Sequence, residues 1–379
     1  MRGQIIEKSK GVWLIRIQQR GIDGKRKSFS ETFKGTKSEA DKQLTKKLGE
    51  LDNGTLNANS KRTLGEYLDV WLETIAKPRL HQRTFVDYKD LMRLHVRDSL
   101  GNIKLSDLKA IHIQKLYGEL QTEKKLAARR VRYVHAVLSS ALRKAVELDI
   151  LPRNVAKLVQ LPKETKKEMD VLSEAECGLF LNALKGERLE TMFSFALATG
   201  LRPEEYLALQ WKDVDFDKQT ASVRRAVIRL PKSKWYFSEP KTKSSRRTLP
   251  LPVTLVKELR AHRRKQNEER LKLGAAWQNH DLVFPSEVGT PSTHSNITQV
   301  YKRVLKNAEL RTSLRLYDLR HSHATLLLKA GVHAKVVSER LGHSTIALTL
   351  DVYSHVLPSM QAEAAAHLET MLYRKNGTQ

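Results

Sequence analysis

The sequence predicts a multidomain protein that is mainly α-helical with small β elements. Apolar residues recur at helical spacing along most of the chain, and they alternate with polar residues only in short segments. The 379 residues are enough for two or three domains with at least one sizeable core. We therefore expect a small N-terminal β-sheet plus helix, then a helical domain, then a mixed α+β domain.

The first domain is predicted over residues 1–56. The stretch GVWLIRIQQRGIDGKRKSFSETF alternates apolar and polar residues, turns between two glycines and resumes, as a β-hairpin does. A capping box from Thr36 to Glu39 then opens a helix. The hairpin carries five basic residues, which are Arg16, Arg20, Lys25, Arg26 and Lys27. We interpret them as contacts to a DNA groove; the alternative is a solvated, charged hairpin.

A helical domain is predicted over residues 63–160. A second capping box, from Thr63 to Glu66, precedes apolar residues at i, i+3, i+4 and i+7. Three further helical stretches follow, and the last of them bears Arg129, Arg130 and Arg132. Clustered arginines at the start of a long helix suit phosphate contacts, although any one of them could simply face solvent.

The third domain is predicted over residues 170–379. A capping box from Ser173 to Glu176 opens its first helix, and a second helix is expected around 187–199. Two strands, TASVRRAVIRL and RRTLPLP, flank a basic turn region, and further helices follow to the end of the sequence.

The charge of the chain indicates a polyanionic partner. Sixty-eight Lys and Arg face 42 Asp and Glu, for a formal charge of +26, and the excess is spread along the chain rather than concentrated in one tail. That distribution favours nucleic acid over a membrane surface; a basic protein without such a partner is the alternative. The single cysteine, Cys177, cannot form an internal disulfide, and no apolar leader or membrane-length apolar run occurs. We expect a cytoplasmic protein with no membrane partner.

Four stretches of the third domain together suggest chemistry at phosphate. ATGLRPEEYLALQW holds Arg202, EPKTKSSRRTLPLP holds Lys241, LYDLRHSHATLLL holds Tyr317 and Arg320, and LGHSTIALTLDVYSHV holds His343 and Tyr353. Guanidinium groups bind the non-bridging oxygens of a phosphodiester in bidentate fashion. A lysine can protonate a leaving 5′ oxygen, and a tyrosine hydroxyl can attack phosphorus to form a phosphotyrosine.

A metal site is the competing interpretation of the histidines. His321 and His323 are two residues apart, and His333 and His343 follow. However, neither a His-Glu-x-x-His motif nor a cysteine pair nor a carboxylate cluster accompanies them. We therefore predict no metal and no cofactor, with His321 and His323 supporting a helix or contacting phosphate.

The ordered motifs resemble those of the tyrosine recombinase, or phage integrase, family, and especially integrases of phages and conjugative transposons of Gram-positive bacteria. The resemblance implies that Arg202 and Arg320 are the two catalytic arginines, Glu205 the acidic residue after the first, and Lys241 the hairpin lysine. It implies further that His343 is the histidine after Leu-Gly and Tyr353 the nucleophile. One position departs from the family's His-x-x-Arg pattern, because Tyr317 occupies the histidine position. A tyrosine titrates too high to be an easy base near neutral pH.

The resemblance also implies an activity and partners. The expected activity is site-specific DNA recombination through a 3′-phosphotyrosyl intermediate, integrating or excising a mobile element in a bacterial cell. The first domain resembles an arm-type and the second a core-binding DNA domain, so both types of double-stranded attachment site are expected partners. The resemblance implies a homotetramer on DNA. A directionality or bending factor, encoded by the host or by the element, is a possible further partner. A type IB topoisomerase-like enzyme and a non-catalytic DNA-binding regulator remain alternatives.

The end of the sequence suggests a helix that docks elsewhere. SMQAEAAAHLETMLY repeats apolar residues at helical spacing after Tyr353. In the resembling family such a helix packs on a neighbouring protomer; the alternative is that it packs on its own domain.

Overall fold

A computed structural model describes residues 3–20, 26–52, 62–164, 169–231, 234–240, 245–353, 365–366 and 368–372. The chain divides into two compact units, Met1–Lys166 and Lys167–Gln379. Helices dominate both units and the sheets are small, as the sequence predicts. No helix in the described part of the chain is both long and apolar enough to cross a membrane.

The first unit begins with an antiparallel sheet of three strands in the order β1-β2-β3. The strands are β1 Gly3–Ser9, β2 Val12–Arg20 and β3 Arg26–Lys34, and helix α1 Lys37–Asp52 follows. The hairpin of β2 and β3 is confirmed, and Ile15 and Ile17 are buried as the alternation predicts. Strand β1 was not predicted, because its short segment lacks clear alternation and is held by pairing with β2. The predicted turn between Gly21 and Gly24 lies outside the described residues.

The rest of the first unit is helical and has its own apolar core. Its helices are α2 Leu64–Trp71, α3 Lys77–Arg79, α4 Gln82–His95, α5 Arg97–Leu100, α6 Ala110–Thr122 and α7 Ala128–Glu147. The predicted capping box is present, since the Thr63 amide donates to Glu66 at 2.8 Å and the Glu66 amide to the Thr63 hydroxyl at 3.3 Å. A π-helical segment, Leu72–Ala76, continues α2 into α3.

The second unit is a mixed domain with a single large core around Phe180, Phe193 and Tyr301. Its helices are α8 Glu174–Ala183, α9 Glu190–Thr199, α10 Pro203–Tyr206, α11 Val253–Leu273, α12 His294–Asn307, α13 Asp318–Lys329, α14 Ala334–Leu341 and α15 Ile346–Tyr353. Its strands are β4 Val214–Asp215, β5 Thr220–Val223, β6 Ala226–Arg229, β7 Trp235–Ser238 and β8 Arg247–Pro250.

One predicted strand of this unit is wrong. The stretch TASVRRAVIRL forms two strands in different sheets: β5 pairs with β4 and β8, whereas β6 pairs with β7. The break falls at Arg224 and Arg225, and both arginines form ion pairs with the buried carboxylate of Asp213. Strand β7 also occupies part of the region that we predicted to be a basic turn.

The chain after Tyr353 is described only in part. Residues 368–372 are helical, in agreement with the predicted spacing. The side chains of Leu368, Met371 and Leu372 are exposed, and Met371 is 80% exposed. These apolar side chains therefore lie on a surface in the described structure.

Candidate active site

The end of α14 organises three arginines through three successive backbone carbonyls. The carbonyl oxygen of Arg340 accepts from Arg247 Nε at 2.7 Å, and that of Leu341 accepts from Arg320 Nη2 at 2.7 Å. The carbonyl oxygen of Gly342 accepts from Arg202 Nη2 at 3.2 Å. The last carbonyls of a helix have no partner within the helix and carry partial negative charge, so they suit cations.

Arg320 is the most deeply buried of these arginines. It lies in the first turn of α13 and is 2% exposed. Its Nη1 donates to the carbonyl oxygen of Gly200 at 2.7 Å, at the end of α9, while Nη2 reaches Leu341. The pKa of Arg320 is lowered to about 10, mainly because the group is buried and secondly because Arg202 is also positively charged. The group therefore remains a cation at neutral pH and is held by the C-terminal ends of two helices.

Arg202 is more exposed and is fixed by Glu205. It immediately precedes α10, where its Nη1 donates to Glu205 Oε1 at 2.8 Å and its amide to Glu205 Oε2 at 3.1 Å. Burial alone would raise the pKa of the Glu205 carboxyl, but the cations Arg247 and Arg202 lower it on balance. The carboxylate thus orients Arg202 and leaves part of its guanidinium accessible.

Two glycines in the left-handed conformation shape this site. Gly200 ends α9 with φ of 64°, and Gly342 ends α14 with φ of 67°. A Cβ added to Gly200 would lie 2.5 Å from Cδ2 of His323. Glycine therefore allows both the backbone turn and the close approach of the two helix ends.

His343 lies in the turn between α14 and α15, as predicted, although the helix begins at Ile346 rather than beside Ser344. Its Nδ1 is 2.8 Å from Oγ1 of the buried Thr349. The pKa of His343 is lowered to about 4, mainly by burial and secondly by the positive charges of Arg320 and Arg202. The imidazole is therefore neutral at pH 7. If Thr349 donates to Nδ1, then Nε2 carries the proton and can donate to a phosphate oxygen.

Tyr317 precedes α13 and stands beside the arginines. It is 37% exposed, and its ring centroid lies 5.2 Å from that of His321. Burial acts to lower the pKa values of Arg202 and Arg320, whereas Tyr317 acts to raise them. Burial lowers the pKa of His321 to about 4. This pair places a hydroxyl and a neutral imidazole at the edge of the site, and a phosphate contact is one of the two roles predicted for His321.

Three supporting residues were missed in the sequence analysis. Arg247 contacts Glu205, Arg340 Nε donates to His323 Nε2 at 3.2 Å, and Thr349 contacts His343. His323 also bonds the carbonyl oxygen of Leu197 through Nδ1 at 2.9 Å, so it supports α9, which is one of the two roles predicted for it. Arg247 lies in the stretch that drew attention to Lys241, but nothing in that stretch distinguishes it from neighbouring Arg246.

Two predicted site residues fall partly or wholly outside the described structure. Tyr353 is the last residue of α15, and its side chain is not described. About 1.5 Å of rise per residue puts its backbone roughly 10 Å along the helix from Ile346. Lys241 lies outside the described residues. The structure brings five of the predicted site residues together, as expected from the sequence. They are Arg202, Glu205, Tyr317, Arg320 and His343.

Of the predicted DNA contacts that the structure describes, Arg129, Arg130 and Arg132 are exposed and Arg16 is half-buried. Arg16 lies on β2 between the buried Ile15 and Ile17, so it points to the opposite face of the sheet. The other four basic side chains of that region are not described; they are those of Arg20, Lys25, Arg26 and Lys27. On α7, Arg129 and Arg130 are exposed, whereas Arg132 donates to the carbonyl oxygen of Pro162 at 3.1 Å. Within the described residues, no group of three potential metal ligands is close enough to hold an ion.

The site has the composition of one that handles a phosphodiester. Two oriented guanidinium groups and a neutral imidazole lie together, next to a helix that ends in a tyrosine, and the Glu205 carboxylate beside them is paired with arginines. Such cations stabilise the charge that develops on phosphate oxygens. The fold and site together define a mainly helical, multidomain enzyme of phosphoryl transfer.

Comparison with known proteins identifies the family. Residues 165–360 match the phage integrase family, and residues 63–121 match the N-terminal SAM-like domain of phage integrases. The chain is 33% identical to a tyrosine recombinase XerC-like protein of Caldanaerobacter subterraneus, over 93% of this chain and 94% of that protein. It is 30% identical to the ICEBs1 integrase of Bacillus subtilis, over 79% of this chain and 80% of that one.

Solved structures of integrases have the same fold. The Tn1549 transposon integrase in complex with a circular intermediate DNA has a TM-score of 0.68 at 21% identity, covering 81% of this chain and 99% of that one. A lambda integrase dimer bound to a core site has a TM-score of 0.59 at 17% identity, covering 92% and 94%. The chain belongs to the phage integrase family. It is a tyrosine recombinase, an enzyme that breaks and rejoins DNA. The two alternatives, a type IB topoisomerase-like enzyme and a non-catalytic DNA-binding regulator, are not favoured.

Proposed function

We propose that this recombinase integrates and excises a mobile element, with Tyr353 as nucleophile and Arg202, Arg320, His343 and Lys241 as its catalytic partners. The observation that carries the proposal is the convergence of Arg202, Arg320 and His343 beside α15, the helix that ends at Tyr353. Related proteins include integrases of Bacillus subtilis and of Streptomyces ambofaciens.

The proposed reaction has two balanced steps. The Tyr353 hydroxyl gives its proton to solvent and attacks phosphorus, the bond from phosphorus to the 5′ oxygen breaks, and Lys241 protonates the leaving oxygen. In the second step a 5′ hydroxyl of another duplex gives its proton to Lys241 and attacks the phosphotyrosine. The bond from phosphorus to the tyrosine oxygen breaks, and that oxygen takes a proton from solvent. Arg202 and Arg320 bind the non-bridging oxygens throughout, and His343 donates from Nε2. The energy of the phosphodiester is kept in the covalent link, so the scheme uses neither ATP nor a metal.

The role of Tyr317 follows from its place beside Arg202 and His321. We assign it a hydrogen bond to the phosphate or to Arg202, rather than proton abstraction. The neighbouring His321, whose pKa burial lowers to about 4, is a neutral base at pH 7. Tyr317→Phe should therefore slow cleavage much less than loss of Arg320.

The test of the proposed function is Tyr353→Phe. This variant lacks one oxygen, so it should fold and bind DNA normally, while the covalent DNA adduct seen on a denaturing gel disappears. The substrate is a nicked duplex made from the DNA that flanks the gene encoding this protein. An adduct that persists in Tyr353→Phe would show that another residue is the nucleophile. Cleavage in the presence of a chelator checks the metal-free scheme, since its loss would favour a metal.

Three domains are proposed to divide the DNA contacts. Residues 1–56 would bind arm-type sites through Arg16 and its basic neighbours, residues 63–160 core sites through Arg129 and Arg130, and residues 170–379 would carry the chemistry. A fragment 57–379 should then cleave core DNA but recombine poorly. Binding by the isolated first domain should weaken steeply with salt. Full recombination by the fragment would refute the arm-site assignment.

A homotetramer on DNA is the proposed assembly, with the helix at 368–372 docking on a neighbouring protomer. The exposure of Leu368, Met371 and Leu372 supports this contact. Leu368→Asp should leave DNA binding intact and reduce multimeric complexes on a native gel, because a buried charge is costly. A directionality or bending factor would act on such complexes. Unchanged multimers would mean that the helix is not an assembly contact.

A further inference from the structure

We infer that Arg247 is a positioning residue for strand cleavage, which orients Arg202 by holding both Glu205 and the end of α14. This inference rests on the proposed function, since it concerns the arginines that would bind the scissile phosphate. Arg247 lies at the start of β8, in the same stretch as Lys241, but the sequence analysis assigned it no role.

The guanidinium of Arg247 forms its hydrogen bonds with groups of the protein itself. Nη1 and Nη2 donate to Glu205 Oε1 and Oε2 at 3.3 and 3.0 Å, Nε donates to the carbonyl oxygen of Arg340 at 2.7 Å, and Nη1 also donates to that of Ser245 at 3.0 Å. These bonds use most of the five N–H donors of a guanidinium. The side chain is 8% exposed. Arg247 therefore acts on the reaction through its protein partners.

Glu205 transmits this effect to Arg202. Its Oε1 accepts from both Arg202 Nη1 and Arg247 Nη1, and its Oε2 accepts from the Arg202 amide and from Arg247 Nη2. The carboxylate is 4% exposed, and a buried carboxylate needs its cations to remain charged and in place. Without Arg247, Glu205 would keep one cation and could rotate, and Arg202 would lose its fixed direction.

The bond to Arg340 joins the same residue to the turn that precedes His343. The next two carbonyls of that turn, those of Leu341 and Gly342, hold Arg320 and Arg202. Arg247 thus contacts the carboxylate that directs Arg202 and also the end of α14, two residues before Gly342, whose carbonyl is the other partner of Arg202. Because Arg247 bonds both Glu205 and the end of α14, a shift of β8 would change the position of Arg202.

The experiment compares Arg247→Ala and Arg247→Lys with a matched control, Arg225→Ala. Arg225 forms a similar ion pair with a buried carboxylate, Asp213, but does not contact the arginine cluster. Thermal unfolding, DNA affinity and the single-turnover rate of adduct formation are measured on the nicked flanking duplex. We expect the Arg247→Ala rate to fall by about 10²-fold, the scale for a misplaced catalytic group, with DNA affinity unchanged. Arg225→Ala should lower the melting temperature and leave the rate near that of the unmutated protein.

Two further readouts separate positioning from general stability. Guanidinium ion added to Arg247→Ala should restore part of the rate, whereas Arg247→Lys should remain slow, because an ammonium cannot hold the forked contact with Glu205 and the Arg340 carbonyl together. In a Glu205→Gln background, Arg247→Ala should cost much less than it does alone. Should Arg247→Ala not fold, Arg247→Lys carries the comparison.

The outcomes distinguish this inference from the proposed function. No adduct from the unmutated protein would overturn the proposed function. An adduct from the unmutated protein together with an undiminished rate in Arg247→Ala, or in Arg247→Lys if only that variant folds, would overturn the role of Arg247 alone. An equal loss of rate in Arg225→Ala, or full additivity with Glu205→Gln, would do the same.

Discussion

Arg202 and Gly342 are joined by a hydrogen bond of 3.2 Å from Nη2 to the carbonyl oxygen, although 140 residues separate them. The bond exists because Gly342 turns the chain at the end of α14 in the left-handed conformation, with φ of 67°. The backbone geometry of one glycine therefore contributes directly to the position of Arg202, which we propose to be a catalytic arginine.

Gly342→Ala should consequently impair both stability and cleavage. An alanine in this conformation costs about 1–2 kcal/mol, and relief of that strain would move the carbonyl away from Arg202. Gly331→Ala is the matched control, because Gly331 follows α13 with φ of 76° and an added Cβ would meet nothing within 4 Å. Unfolding of both variants should be similarly affected, and only Gly342→Ala should slow adduct formation. Equal rates in the two variants would contradict the role of the turn.

Arg320→Lys should retain a positive charge and lose most of the activity. A single ammonium cannot donate to the carbonyls of Gly200 and Leu341 and also hold a phosphate in the geometry of a guanidinium. We expect cleavage to fall by at least about 10²-fold, the scale of a lost oxyanion donor. Arg311→Lys, whose arginine pairs with Asp170 and Glu176 instead, should cleave normally. Near-normal cleavage by Arg320→Lys would indicate that charge alone suffices.

Thr349→Val tests the orientation of His343. Valine fills the same buried space but cannot form the 2.8 Å contact with Nδ1, so the imidazole loses its fixed tautomer and direction. Adduct formation should slow by about tenfold, equivalent to roughly 1.4 kcal/mol in the barrier. Thr349→Ser keeps the hydroxyl and should remain near the unmutated rate. If serine and valine behave alike, the hydroxyl does not orient His343.

The stability of the second unit should fall in mildly acidic solution. Burial lowers the pKa values of His321 and His343 to about 4 and that of His323 to about 3, from an ordinary 6.5. Between pH 6.5 and 4 the unfolded chain binds protons that the folded chain does not, so stability decreases as pH falls through this window. Each histidine contributes about 1.4 kcal/mol per pH unit at most.

Thermal unfolding between pH 7 and pH 5 provides the measurement. His323→Gln keeps neutral polar groups near Leu197 and Arg340 but removes one buried titrating group. Its melting temperature should therefore depend less on pH than that of the unmutated protein. An identical pH dependence in both proteins would mean that His323 titrates normally in the folded state.

The sequence by itself determined the local elements and the motifs from which we predict the catalytic residues. The capping boxes at Thr63 and Ser173, the alternation at Ile15 and Ile17, and the helical character of most of the chain depend on neighbours within a few residues. Arg202, Arg320, His343 and Tyr353 were identified because their motifs occur in a characteristic order. Strand β1 and the break at Arg224 and Arg225 were missed, since each depends on a partner from another segment.

Only the tertiary structure decided how the catalytic groups are held. Arg320 bonds a carbonyl 120 residues away, and Arg247 bonds one 93 residues away. Every residue has the same backbone carbonyl, so no side-chain pattern marks the ones that end a helix beside an arginine. Burial acts in the same way on His343, whose lowered pKa comes from the elements packed around it. The motifs therefore predicted which groups react, and the packing of helix ends against buried arginines determined the geometry and charge of those that the structure describes.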